Sequence, residues 1–312
     1  MANSSYDIEK VYSAIKTISN YFEENNVSIL INNPNATIHN YCHYNRTSDS
    51  NKCLNYFEMT SSDVIHLLKD LKDKYYLEDD KLAEYGILWL IYKLKIKEKD
   101  KLTDLNKFYT DHMEKNEYYN DKINGDNGPT YKEIIDKKIN LMDMNINDIF
   151  KLEAPFNILY YLYYEIHDGD PDCDTNLKLA NNFVQNVETL NNDSNNIKDS
   201  PFSQILSTLS NDYKNLKKKC TNFPSIQELT PKNKPVEKSA KVSEQPTVLN
   251  PEATPSSSSI LNTVIPVLST FAIPVFLGVA YKYSLFGIDK LFQRQHIRNK
   301  LKKTTKKMEL NI

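Results

Sequence analysis

Between residues 6 and 219 apolar side chains return every three or four positions, with polar ones between them. That period belongs to the α-helix. Ile8, Val11, Tyr12, Ile15, Ile18 and Phe22 lie on one stripe and predict a first helix. Ser62 is placed to cap a helix carrying Val64, Leu67, Leu68, Leu71 and Tyr75. Residues 83–97, AEYGILWLIYKLKIK, are apolar nearly all round and predict a central buried helix. Their uncharged run is too short to cross a bilayer. Leu102, Leu105, Phe108, Tyr109 and Met113 mark the next helix. GDNGPT at 125–130 is a turn, followed by a helix through Ile134, Ile135, Ile139 and Met142. Another is expected over 147–166, where the run APFNILYYLYYEI has the helical spacing of a core segment. Ser200 and Pro201 form an N-cap and N1 pair before Ile205, Leu209, Tyr213 and Leu216. No alternating strand pattern stands out. The pattern predicts an all-α, multi-helix domain over residues 1–220.

The pattern then breaks twice. Residues 221–259 hold six prolines, no glycine and the run Ser256 to Ser259, which predicts an extended, disordered Pro/Ser-rich stalk. Residues 260–281, ILNTVIPVLSTFAIPVFLGVAY, then run for 22 positions without an ionisable acid or base. As a helix this stretch is about 33 Å long, enough for a hydrocarbon layer of about 30 Å. Pro266, Pro274 and Gly278 suit a spanning helix better than a soluble one. A buried core helix rarely runs so long without a polar face. The reading is one C-terminal transmembrane helix.

Charge gives it a direction. The chain is net −2, yet residues 282–312 carry nine basic side chains: Lys282, Lys290, Arg294, Arg298, Lys300, Lys302, Lys303, Lys306 and Lys307. Only Asp289 and Glu309 oppose them, so the rest of the chain is net −9. Basic residues crowded behind a span stay on the cytoplasmic side. They are attracted to the anionic inner leaflet by about 1 kcal/mol each. Ile288, Leu291, Phe292, Ile297 and Leu301 fall near one helical face, as in an amphipathic segment lying on that leaflet. The expected partner of the tail is therefore the lipid bilayer and not nucleic acid. The start, MANSSYDIEK, has no apolar signal-peptide core, so the span itself is expected to direct insertion. The expected topology puts the N-terminal domain outside and the basic tail in the cytoplasm.

Cys42, Cys53, Cys173 and Cys220 all lie on the predicted outer side. Four cysteines allow three pairings. Cys42 with Cys53 would close a short loop poor in core residues, and Cys173 with Cys220 would staple the end of the domain. The opposing reading is four reduced thiols, since redox compartment decides. His39, His43 and His66 lie near the first pair; His39 and His43 stand four apart, but no CxxC accompanies them to complete a zinc set, and no metal is expected. DGDPDCD at 168–174 resembles the start of a calcium loop and fails in detail. Cys173 stands where the sharp turn needs glycine, and Leu179 where the bidentate glutamate belongs. Phosphate loops, nucleophile elbows and HExxH are all missing from the sequence, and glycine occurs only six times. Neither an enzyme nor a cofactor is expected.

Four segments carry a family resemblance: LAEYGILWLIYKLKIK, NKFYTDHMEKNEYYNDKI, NNDSNNIKDSPFSQILSTLSNDYKNLKKKC and VIPVLSTFAIPVFLGVAYKYSLFGIDKLFQRQHIRNKLKKTTKKMELNI. With them the chain resembles the Plasmodium interspersed repeat (PIR) proteins of malaria parasites, particularly the rodent-parasite branches. The similarity covers most of the chain and is weakest over the first 60 residues. It implies a multigene variant antigen of blood-stage parasites, exported to the infected erythrocyte and displayed in part there. Antigenic variation, immune evasion, and binding to a host receptor or antibody are what the resemblance suggests. Many relatives carry an early N-terminal cysteine and others near positions held here by Tyr160, Asn176 and Ser207, so the family's disulfides do not transfer intact. Two other readings stay open: a dedicated adhesin with one receptor, and a tail-anchored intracellular scaffold.

Overall fold

The computed structural model describes residues 7–24, 29–31, 38–48, 51–95, 105–167 and 173–234. Most of the expected stalk, the expected span at 260–281 and the nine basic tail residues lie outside the described residues. No described helix is long and apolar enough to cross a membrane. The chain divides after Lys234 into two units, and the second lies wholly outside the described residues.

The first unit is helical. Helix α1 spans Ile8–Ser19, and Asp7 caps it by accepting from the Glu9 amide. A short antiparallel ribbon follows, β1 (Phe22–Glu24) on β2 (Ile29–Ile31), with Phe22 opposite Ile31. The sequence pattern did not announce these three-residue strands; alternation over three positions is too brief to read. Helix α2 spans Tyr56–Tyr75. It begins earlier than Ser62: Asn55 is the cap, and its side chain accepts from the Glu58 amide at 2.9 Å. Ser62 sits in the second turn, fully buried, and donates to the Ile38 carbonyl at 2.7 Å. Helix α3 spans Asp79–Lys95 and is the expected central helix, with Tyr85, Ile87, Trp89 and Leu90 fully buried. At Gly86 an added Cβ would lie 3.1 Å from Leu68, so glycine permits α2 and α3 to approach closely.

Helix α4, Leu105–Phe108, widens into a π turn over Tyr109–Met113, closed by the Glu114 amide on the Tyr109 carbonyl. A 3-10 turn holds Glu117–Asn120. Helix α5, Tyr131–Asp136, opens on a capping box between Thr130 and Glu133. The helix expected through Met142 stops at Asp136, and Ile139–Leu141 form a separate 3-10 turn. Helix α6 spans Ile146–His167 despite Pro155 in its interior. Helix α7, Cys173–Asn191, was not singled out in the sequence, though Ala180, Phe183, Val184, Val187 and Leu190 are its buried stripe. Acidic and Asn-rich flanks obscure that stripe. Helix α8, Pro201–Lys217, is capped by Ser200 with proline in its first turn.

Helix α6 is the hub, packed against α1, α3, α7 and α8, while α2 packs between α1 and α3. The domain also runs past the expected boundary at 220. Residues 221–234 fold back along the α7–α8 hairpin. Phe223 is buried beside Tyr213, whose hydroxyl donates to the Pro224 carbonyl at 2.9 Å. Further on, the Lys232 amide donates to the Asn196 carbonyl, and the Lys198 amide to that of Lys232. Prolines, a serine run and few large apolar groups suggested a stalk from 221 onward; over 221–234 one buried aromatic and these backbone bonds make it a strap.

Candidate functional site

Residues 38–48 and 51–54 have almost no regular structure and are fixed from outside. Cys42 and Cys53 are joined in a disulfide, with Cα atoms 5.3 Å apart and both side chains buried. The Asn116 side chain clasps the loop, donating to the Tyr41 carbonyl at 2.6 Å and accepting from the His43 amide at 3.2 Å. Tyr44 donates its hydroxyl to the His112 carbonyl at 3.1 Å. Arg46 reaches the buried Glu58 carboxylate at 2.8 Å, and the Leu54 amide donates to the same group at 2.7 Å. His39 lies over the bridge, its Nδ1 accepting from the Cys53 amide at 3.2 Å. His39, Cys42 and Cys53 would place three metal-donor atoms within 4.8 Å of one another. With both sulfurs in a disulfide there is no thiolate to bind a metal, so this cluster is a structural bridge and its cover.

The pinned loop presents aromatic rings. Tyr21 meets His66 edge-on at 5.8 Å between centroids, and His66 meets Tyr41 at 4.5 Å. Tyr41 meets Tyr118 at 5.6 Å, and Tyr118 lies 5.9 Å from His43. Behind them the buried Tyr131 stands 6.5 Å from Tyr41. With Tyr131 these rings come from five separate stretches of chain, so no local motif in the sequence could have assembled them. Their neighbours are the exposed side of α2: Lys69 pairs with Asp73 at 2.8 Å, and Lys74 with Asp70 at 2.9 Å.

Two buried polar centres also escaped the sequence. Asp212 on α8 accepts hydroxyls from Tyr12 at 3.0 Å and Tyr85 at 3.0 Å. Its backbone carbonyl takes the hydroxyl of Tyr163 at 2.8 Å. Burial pushes the Asp212 carboxyl up to about 7, against the opposing pull of the two hydroxyls. Asp63 on α2 is fully buried, and desolvation holds it well above the usual carboxylate range, with the Lys93 charge pulling the other way. The Lys93 ammonium donates to the carbonyls of Ser19 and Phe22 at 3.1 and 2.7 Å. Asp212 ties α1, α3 and α6 to α8, and Lys93 ties α3 to the Ser19–Phe22 stretch, while neither oxygen of the buried Asp63 has a hydrogen-bond partner among the described residues. A cleft of about 300 Å³ does lie beside Glu84, Lys138 and Asp199. Its buried acid, Glu84, is already held by Lys81 at 2.7 Å and by the Thr208 hydroxyl.

The chain matches the family described as Plasmodium variant antigen protein Cir/Yir/Bir over residues 12–282. It belongs to that family. It is also 30% identical to a protein of known structure, titled "Structure of a Plasmodium PIR protein ectodomain". The match covers 71% of this chain and 99% of the other, with a TM-score of 0.53. None of the curated proteins compared matches it.

In this family member the second bridge joins Cys173, at the start of α7, to Cys220 after α8, with Cα atoms 5.4 Å apart. It closes the open end of the α7–α8 hairpin. Residues 168–172 of the acidic stretch lie outside the described residues, and Cys173 belongs to the bridge. Tyr160, Tyr161 and Tyr163 of the tyrosine run are buried in α6 and serve the core. Tyr160 and Asn176, near cysteine positions of many relatives, are buried as well.

Proposed function

We propose that this PIR protein is a single-pass variant surface antigen, exported to or displayed on the infected erythrocyte. The observation that carries the reading is the extent of the family match. It runs from α1 through the uncharged stretch 260–281 and ends at Lys282. The layout is a helical ectodomain through Lys234, a stalk to Ser259, a membrane helix over 260–281 and a basic tail over 282–312. Lys282, Lys290, Arg294 and the six basic residues after them hold the tail to the inner leaflet. The rodent-parasite branch is the assignment that the tail sequence suggests.

The physical case for display is simple. Interlocked helices and two disulfides tolerate exchange of exposed residues, since surface substitutions away from caps and buried groups usually change stability by no more than about 0.5 kcal/mol. A chain under antibody pressure needs that tolerance. Disulfides further suit an oxidising, outward-facing compartment. Protease shaving of intact infected cells, read with antibodies to each end, tests the proposal. Loss of the N-terminal epitope with survival of the tail is expected. Protection of both ends would overturn display, and four reactive thiols in the folded protein would favour the intracellular scaffold.

A further inference from the structure

The tyrosines of this domain differ in what their hydroxyls do. Tyr12, Tyr56, Tyr85, Tyr119, Tyr163 and Tyr213 each donate to an acceptor inside the fold. Tyr21, Tyr41, Tyr118 and Tyr131 donate to no group among the described residues. These four belong to one ring assembly, interleaved with His66 and His43. Four tyrosine hydroxyls without an acceptor among the described residues are thus gathered in one ring assembly.

The electrostatics of that place are acidic. Burial, then Asp70 and Asp63, raise the Tyr21 hydroxyl. Burial raises Tyr41, with Asp73 and Asp70 adding to it and Lys69 opposing. Burial, then Tyr41, Asp73 and Asp121, raise Tyr131. Carboxylates therefore face the rings, and the Tyr21, Tyr41 and Tyr131 hydroxyls remain protonated donors at neutral pH. Lys69 and Lys74 offset Asp73 and Asp70. Glu117 has only the His43 imidazole, at 3.5 Å, and Asp121 has no cationic partner among the described residues. Glu117 and Asp121 thus leave two carboxylates beside the rings that no lysine or arginine pairs among the described residues.

We infer that the Tyr21–His66–Tyr41–Tyr118–His43 face is a docking surface for a protein segment bearing arginine side chains. Guanidinium groups stack on aromatic faces and fork onto carboxylates, which a compact, strongly hydrated ammonium does less well. Tyrosine supplies large contact area at low entropic cost, and for that reason it dominates binding surfaces. An anionic lipid surface is repelled by this charge. The inference rests on the domain being presented to partners, and it deepens the display reading by naming a partner chemistry.

The test uses the full chain in non-ionic detergent, at roughly 0.15 M salt, where diffuse attraction is screened beyond about 8 Å. Labelled octa-arginine, octa-lysine and octa-glutamate peptides are titrated against wild type, Tyr41→Ser/Tyr118→Ser and the control Leu54→Ser. Leu54 is exposed and far in character from the ring face. Arginine is expected to bind several-fold more tightly than lysine, and glutamate not at all. The tyrosine variant, which keeps every charge, is expected to lose about tenfold in arginine affinity, and the control nothing. Equal binding by wild type and the tyrosine variant overturns the inference, because attraction to an acidic domain would then suffice. Self-association abolished by the same variant also overturns it, in favour of a second copy as occupant. Should the double variant melt early, Tyr118→Phe with Asp121→Asn takes its place, and unchanged arginine affinity there is equally fatal. Shaving and titration fail independently: one reads exposure on cells, the other the chemistry of the purified face.

Discussion

Tyr85 on α3 donates its hydroxyl to Asp212 on α8, 3.0 Å away and 127 residues later in the chain. Tyr12 on α1 donates to the same carboxylate, and Tyr163 on α6 to the backbone of the same residue. One residue thus joins four helices, α1, α3, α8 and the hub α6.

This acid makes stability depend on pH. The folded Asp212 carboxyl lies at about 7, against about 3.9 in an unfolded chain. The fold therefore favours the protonated form. The contribution is fully present below about pH 4 and is lost as pH rises through about 7, to a total of about 4 kcal/mol. Lys81 and Glu84 on α3 face the same group and act in opposite directions. His112, whose imidazole burial pushes down, works against this trend as pH rises through about 6.5. Thermal melts between pH 5 and 8 should show stability falling with pH, and Asp212→Asn should flatten the slope. An unchanged slope in the variant would remove Asp212 as its source.

The bridges differ in what they hold. Cys173–Cys220 closes a loop of 47 residues and Cys42–Cys53 one of 11. Loop-closure entropy gives about 4 and about 3 kcal/mol respectively. Cys173→Ser/Cys220→Ser should therefore lower the denaturant midpoint more than Cys42→Ser/Cys53→Ser. The smaller bridge should matter more locally. Its loss should speed proteolysis near Tyr41 and His43 while the α7–α8 hairpin stays protected, as read by limited digestion and mass spectrometry.

The strap is part of the fold. Phe223 is 2% exposed, so Phe223→Ala should cost about 3 kcal/mol. A full-length protein with Phe223→Ala should be cut between 221 and 234 by low protease concentrations that spare the wild type. Equal resistance would mean that the strap is held by its backbone bonds to Asn196 and Lys198 alone.

Lys93 is 2% exposed and caps two carbonyls beside Asp63. Lys93→Met should cost about 3 kcal/mol or more, because it strands those two buried carbonyls and removes the charge that pulls against the desolvation of Asp63. Adding Asp63→Asn should recover part of that loss. Additivity of the two in a double-mutant cycle would show that the groups do not couple.

Much of this architecture was legible along the chain. The stripes of α1, α3, α6 and α8 were readable because each helix buries one face or all of them, and periodicity records burial directly. The Ser200-Pro201 cap was readable because capping is local chemistry. Helix α2 was harder. Thr60, Ser61, Ser62 and Asp63 are fully buried, and a polar run in a helix ordinarily signals solvent. Here Ser62 donates to the Ile38 carbonyl and Ser61 to the His112 carbonyl, Thr60 donates back to Tyr56 of its own helix, and neither oxygen of Asp63 has a hydrogen-bond partner among the described residues. Phe223 misled for the opposite reason, as a single aromatic among prolines has no periodicity to betray its burial.

The sequence by itself determined the helical class, the family, the uncharged 22-residue stretch and the basic block behind it, because these depend on composition and spacing within short windows. Only the tertiary structure decided the meeting of Asp212 with Tyr12 and Tyr85 and the assembly of the aromatic face. It also decided the return of residues 221–234 onto the domain. Each of these joins residues tens to hundreds of positions apart, and what brings them together is the packing of whole helices, which no local pattern encodes.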